Sequence, residues 1–219
     1  NFGDGRSYYV YLLLKYLKRS GHNVILFTNG GDSFERLEES GVKIFQNKSY
    51  SQKTSFLKSV KELSEIIDTN KIEIIHSHHR YFELMANSAA KICGQKVETV
   101  FTALSIVNKR YGVEYKSDKI IAVSNCVKEM LINKFKINSE RVTLIPNFVD
   151  SEEIDKNHLV KIDKKEKISG CINILSIGRF HKDKAQLTLL ESVKKISENT
   201  EVSLTLIGEG EEKEKYVDY

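Results

Sequence analysis

Ser176-Ile177-Gly178-Arg179-Phe180-His181-Lys182-Asp183-Lys184 joins two kinds of periodicity. Ahead of it, Ile172, Ile174, Leu175 and Ile177 form an apolar-rich run of strand length. Behind it, Leu187, Leu190, Val193 and Ile196 recur at helical spacing. A strand that turns directly into a helix and is followed by another strand is the repeating unit of a parallel α/β sheet. The turn carries a glycine and two cations, Arg179 and Lys184, five residues apart. A glycine after a strand, cations and an open helix N-terminus together suit a phosphate or diphosphate. The stretch therefore predicts an anionic, nucleotide-linked ligand.

The same alternation runs through the residues ahead of it. Helical spacing appears over residues 10–17, 34–39, 56–67, 82–92 and 127–135, and short apolar strands over 24–27, 42–45, 72–76, 97–101, 119–123 and 142–145. Such an order predicts an α/β fold, a parallel sheet covered by helices on both faces, with ligands at the carboxyl ends of its strands. The first domain is expected over residues 1–150, closing near Pro146, the single proline. Residues 151–170 are charged and lysine-rich and read as a linker. Residues 171–219 open a second domain with a strand, a helix and a strand. Two strands and one helix are too few to bury a core. The glycines at the start also read as a loop that follows a strand. The chain is accordingly expected to be a piece of a longer two-domain protein.

Composition narrows the function classes. The chain has 219 residues, 40% of them hydrophobic, and a net charge of +4, which describes a globular protein with a weak preference for anionic partners. Its apolar runs are far too short to span a bilayer. Cys93, Cys126 and Cys171 lie far apart without a CxxC pair, so neither a zinc site nor a disulfide framework is expected, and a reduced, cytoplasmic setting fits best. No GxGxxG follows a strand, which argues against a nicotinamide cofactor. No basic patch is interleaved with aromatics, which argues against nucleic acid. Residues 53–68 form a basic amphipathic helix with Lys53, Lys58 and Lys61; its stripe can be core, or it can give peripheral membrane contact.

Six motifs stand in order: Gly3-Asp4-Gly5-Arg6 heading a helix that ends at Gly21; His76-Ser77-His78-His79 at a strand end; Asp118 to Ser124; Pro146-Asn147-Phe148-Val149-Asp150; Gly178 to Lys184; and Gly208-Glu209-Gly210. The set resembles glycosyltransferase family 4, retaining nucleotide-sugar enzymes of the GT-B fold with two Rossmann-like domains. The first domain would be nearly complete here and the second represented by its opening βαβ unit.

The resemblance implies that Arg179 and Lys184, with Gly178, grip the donor diphosphate. It implies that main chain at Gly5 approaches the donor phosphates, with Asp4 standing where the family usually has glycine. It places His78 at the reaction centre, in a catalytic or sugar-binding position, with a merely structural histidine as the alternative. Strand alternation sends His76 and His78 to one side and His79 to the other. The family uses no metal in catalysis, so no cofactor is expected beyond the nucleotide-sugar co-substrate. The acceptor would be a glycan or a lipid-linked sugar, in surface polysaccharide or glycolipid synthesis, at a cytoplasmic site or peripherally on the inner face of the membrane. Three departures are visible. Residues 101–103 lack the family's further histidine, Phe148 replaces a glycine, and Ala185 replaces the glycine after the lysine. The second domain's pair of glutamates would lie beyond Tyr219. The competing reading is a non-catalytic remnant or partner subunit on the same scaffold.

Overall fold

The computed structural model describes residues 5–31, 34–152 and 170–217. Contacts divide the chain into two compact units, Asn1–Ile154 and Asp155–Tyr219, each described by itself. Asp4 and most of the expected linker lie outside the described residues.

The first unit begins with helix α1 (Gly5–Arg19), strand β1 (Ile25–Thr28), helix α2 (Phe34–Glu39) and strand β2 (Lys43–Gln46). Helix α1 stops because Gly21 takes φ 87°, where a glycine meets no side-chain penalty, and His22 N then donates back to Leu17 O at 3.2 Å. Helix α3 (Phe56–Asn70), strand β3 (Ile74–Ser77), helix α4 (Arg80–Ile92), strand β4 (Glu98–Ala103) and strand β5 (Lys119–Ala122) follow. Helix α5 (Asn125–Glu129) and strand β6 (Val142–Leu144) close the unit's regular structure. The helix expected over 127–135 starts two residues earlier, at the Ser124 cap, and widens into a π-turn over Met130–Lys134. The π-turn directs Met130, Leu131 and Phe135 into one cluster with the β4 and β5 side chains.

All strands pair in parallel, β1 with β2, and β3, β4, β5 and β6 in that order. Alternation along β1 assigns the two faces. Val24 and Leu26 join α1, α2, Val42 and Ile44, whereas Phe27 joins the opposite cluster of α3, α4 and Ile75. Between the free edges of β1 and β3 lies a cleft of about 1060 Å³. The apolar stripe of α3 (Val60, Leu63, Ile66, Ile67) is buried, partly against Met85 and Ala89 of α4. Most of the stripe is thus core, whereas Leu57 at its start is exposed. Among the described residues, no helix is long and apolar enough to cross a membrane.

The loop from β4 to β5 is fixed from below. The buried Glu83 carboxylate accepts from Tyr115 N at 2.7 Å and from Ser117 N and Oγ at 3.2 and 3.0 Å. Arg141 donates to the carbonyls of Tyr115 and Ser117. The chain leaving β6 is held against α1, where buried Asp150 pairs with Lys15 and accepts from Tyr16 OH at 2.9 Å.

The second unit pairs strand β7 (Ile172–Ile177) with strand β8 (Val202–Ile207) in parallel, with helix α6 (Gln186–Ser197) between them and a short helix α7 (Lys213–Val217) after.

Candidate functional site

In the first unit, β3 delivers the histidine motif to the carboxyl end of the sheet. His76 and His78 project to the same side, their rings 4.4 Å apart, and His76 Nε2 lies 2.7 Å from Thr102 Oγ1 on β4. Thr102 is the middle residue of the 101–103 stretch that lacks the family's further histidine, and here it anchors His76 instead. His79 turns the other way and caps α4, accepting from Tyr81 N at 3.3 Å. The Tyr9 ring of α1 meets His78 edge-on at 5.8 Å, and Phe148 leans on Tyr9 at 5.2 Å. The Phe148 side chain thus packs on Tyr9, the ring that meets His78, rather than leaving the open space of a glycine.

Burial dominates the electrostatics of this pair. It pulls His76 down to about 4. Burial, then the neighbouring His76 and the Arg6 guanidinium, pull His78 down to about 3. Both imidazoles are therefore neutral at pH 7. The Nδ1 of His78 is sealed from solvent and has no partner, a buried polar atom that a ligand hydroxyl could satisfy. A neutral imidazole can donate or accept a hydrogen bond there, but it is not an acid held ready as imidazolium.

Gly5 is the first residue of α1, and a Cβ built on it meets none of the described residues within 4 Å, which leave main chain there open to close approach. Arg6 follows it and is near enough to oppose charge on both His78 and His79. Arg6 stands in a quoted motif and Thr102 in the 101–103 stretch, but the sequence gives no sign that these two or Tyr9 meet the histidines. Each reaches the histidines from an element distant in the chain.

In the second unit, Gly178, Arg179 and Lys184 occupy the β7–α6 connection. Gly178 N donates to Ile207 O and Phe180 N to Glu209 O, both at 2.9 Å, so this loop is stitched to the one after β8. The stitching explains Gly208 and Gly210. A Cβ on Gly208 would come within 1.9 Å of Gly178 O, and one on Gly210 within 2.2 Å of Phe180 O. Buried Phe180 anchors the loop, and Gln186 Nε2 holds Arg179 O at 2.8 Å. The acids nearby are engaged elsewhere: Asp183 and Glu211 contact His181, and Glu209 pairs with Lys213. Among the described residues, Arg179 and Lys184 form no salt bridge, and both are exposed. No side chain caps α6, whose first amides stay open. Ala185, at that helix start, takes φ 54°, the left-handed region that favours the glycine it replaces.

The structure brings Gly5 and His78 to one end of the first unit, and Gly178, Arg179 and Lys184 to one loop of the second. Among the described residues, no three His, Cys, Asp or Glu side chains are grouped to hold a metal.

Residues 3–153 match the sequence profile of Glycosyltransferase Family 4. The chain is 24% identical over 234 residues to a phosphatidylinositol N-acetylglucosaminyltransferase GPI3 subunit of Saccharomyces cerevisiae (strain YJM789), covering 98% of this chain and 51% of that protein. It is 27% identical over 175 residues to the UDP-Gal:alpha-D-GlcNAc-diphosphoundecaprenol alpha-1,3-galactosyltransferase of Escherichia coli, covering 71% of this chain and 45% of that protein. A glycosyltransferase crystal structure from Rickettsia africae superposes with a TM-score of 0.71 over 94% of this chain and 57% of that one, at 21% identity, which shows a shared fold. This chain spans about half the length of these curated relatives. Its histidine-bearing α/β unit falls within the matched residues, and the chain belongs to glycosyltransferase family 4.

Proposed function

We propose that the protein to which this chain belongs is a retaining glycosyltransferase that moves a sugar from a nucleoside-diphosphate donor to a glycan or lipid-linked acceptor. The observation that carries the reading is the pair of exposed cations, Arg179 and Lys184, without a salt bridge among the described residues and beside an uncapped helix start. An anion with two phosphates is the ligand that suits such a loop. In transfer, the bond between the sugar C1 and the phosphate oxygen breaks, and its electron pair leaves on the diphosphate. The two cations offset that growing charge, which lowers the barrier. Gly178 leaves room for the phosphates.

On the first unit, Gly5 gives a close main-chain approach and His78 offers its unpartnered Nδ1 to a sugar hydroxyl. The neutral state of His78 fits a hydrogen-bonding and orienting role better than proton donation. The reaction so described uses no metal. The relative from Escherichia coli, whose name contains a UDP-sugar and a diphospho-lipid, supports a lipid-linked acceptor, in surface polysaccharide or glycolipid synthesis.

The test is calorimetric titration of the complete encoded protein with UDP, GDP and ADP, followed by transfer assays with the matching sugar nucleotides. Replacing Arg179 and Lys184 by alanine should weaken binding of the preferred diphosphate about 100-fold or more, taking each charge-assisted contact at roughly 1.5–3 kcal/mol. Unchanged affinity in the double variant would refute the assignment. If the folded wild type binds none of the three nucleotides, the non-catalytic remnant is the better reading.

A further inference from the structure

One buried side chain of the second unit is polar without a reason in packing. Helix α6 carries Leu187, Leu190, Val193 and Ile196, yet its buried residue is Gln186, at 4% exposure. An aliphatic side chain would fill the same place with no polar atom to satisfy. Only one end of the Gln186 amide is matched. Nε2 donates to Arg179 O at 2.8 Å, whereas Oε1 is sealed from solvent and has no partner among the described residues. Turning the amide over does not help, because a carbonyl is met only by a donor, and Oε1 would then oppose Arg179 O. An orphaned buried acceptor costs at least as much as one ordinary hydrogen bond contributes. Gln186 therefore adds little or nothing to the stability of the unit.

What the amide does supply is a fixed position for Arg179. The peptide group between Arg179 and Phe180 has two polar ends, and both are bound. Its N–H, that of Phe180, donates to Glu209 O at 2.9 Å, and its C=O, that of Arg179, accepts from Gln186. The two partners come from different elements, the loop after β8 and the first turn of α6. A peptide plane held at both ends cannot rotate without breaking one bond or the other, and that rotation is what would swing the Arg179 side chain away. Gly178 N, donating to Ile207 O at 2.9 Å, ties the residue before it, and the buried Phe180 ring anchors the residue after it. The Arg179 side chain itself stays exposed, without a salt bridge among the described residues. A rigid backbone thus carries a free guanidinium.

We propose that Gln186 is a positioning residue for the diphosphate site: its amide locks the Arg179–Phe180 peptide and so aims the Arg179 guanidinium at the diphosphate. The inference rests on the reading of Arg179 and Lys184 given above. It adds to that pair a residue that acts through Arg179 rather than on the ligand. Pre-set aim matters because a cation already in place loses less freedom on binding than one that must be ordered by the ligand. The same bond spans the turn that carries Lys184, so both cations leave one closed loop.

Calorimetric titration of the complete encoded protein with UDP, GDP and ADP tests it, in wild type, Gln186→Met, Arg179→Ala and the variant carrying both changes. Methionine keeps the length of the side chain and removes both the donor and the orphaned acceptor. Gln186→Met should weaken binding of the preferred diphosphate about 5–10-fold, a part of the roughly 10–100-fold loss from Arg179→Ala. It should leave the melting transition of the second unit no lower than in wild type. Once Arg179 is alanine, Gln186→Met should cost nothing further, because no guanidinium is left to aim. An equal cost in both backgrounds, a melting transition several degrees lower or a failure to fold would make Gln186 a structural residue and overturn the proposal. Unchanged affinity in Gln186→Met beside a loss in Arg179→Ala would overturn it and leave the diphosphate site standing. No loss in Arg179→Ala either, or no binding of any of the three by folded wild type, would overturn the inference and the site together.

Discussion

Replacing Glu83 by glutamine removes one charge and almost no volume, and it should loosen the connection between β4 and β5 more than any other single-atom change in the first unit. The wild-type carboxylate is fully buried and accepts three hydrogen bonds, from Tyr115 N, Ser117 N and Ser117 Oγ. A glutamine can turn its carbonyl to Ser117, where two of the donors converge. Its amide then faces Tyr115 N, donor against donor. The loss is one charge-assisted bond, about 1.5–3 kcal/mol, plus a buried N–H left unpaired, about 1–3 kcal/mol. A total of about 2.5–6 kcal/mol is a large share of a domain's stability. Tyr115 makes the site more sensitive. It sits at φ 60°, a conformation that a tyrosine adopts only under constraint, and its ring is wedged between Phe101 at 5.5 Å and Phe135 at 4.7 Å. Urea denaturation of the complete protein, followed by exchange at the Tyr115 and Ser117 amides, gives the answer. A loss below about 1 kcal/mol with unchanged exchange at both amides would show that Arg141 alone holds the loop and that the carboxylate reasoning is wrong.

Other perturbations probe the histidines, the second-unit loop and the chain leaving β6. His76 and His78 are held at about 4 and about 3, below an ordinary 6.5, so between those values the unfolded chain binds protons that the folded one does not. The stability they contribute is fully present above pH 6.5 and is lost as pH falls, about 2 kcal/mol per histidine between pH 7 and pH 5. Urea midpoints at the two pH values should therefore converge in His76→Gln and His78→Gln, and an equal drop in wild type and both variants would refute this origin. Ala185→Gly relieves a left-handed alanine and should stabilise the second unit by about 1 kcal/mol, read as a higher melting temperature for its transition; a lower one would show that the residue is not strained. Asp150→Asn leaves Lys15 without its carboxylate and should cost about 1–3 kcal/mol in urea, with no change expected if the pair is merely incidental.

The fold was legible because its signals are local. Apolar runs and helical spacing along residues 10–145 need no knowledge of distant partners, and the observed elements fall within a few residues of those expected. The cations of the 178–184 stretch were legible for the same reason, since a loop's glycine, charges and following helix are neighbours in sequence. Other features depend on which strand lies beside which. Thr102 supports His76 only because β4 pairs with β3 in a register that sets His76 opposite Val100. Arg6 and Tyr9 reach His78 only because α1 packs back over the end of β3. The depressed basicity of the two histidines follows from that packing and cannot be read from the letters His76-Ser77-His78.

The Ala185 and Phe148 departures show the same division. Each is visible as a substitution for glycine, but the two positions make different demands. At Ala185 the backbone itself is left-handed, so the cost is intrinsic to any residue with a Cβ. At Phe148 the ring finds Tyr9, and through Tyr9 the face of His78, so the added side chain is a packing partner. A glycine restored at 185 should thus stabilise the loop without reshaping the histidine end. A glycine introduced at 148 should uncover Tyr9 and let water reach His78. Nuclear magnetic resonance titration of His78 separates the two. Its pKa should rise from about 3 toward 6.5 in Phe148→Gly and stay in place in Ala185→Gly. If Phe148→Gly leaves His78 unmoved, the ring is not what keeps solvent from the imidazole, and the desolvation must come from the sheet and α1 alone.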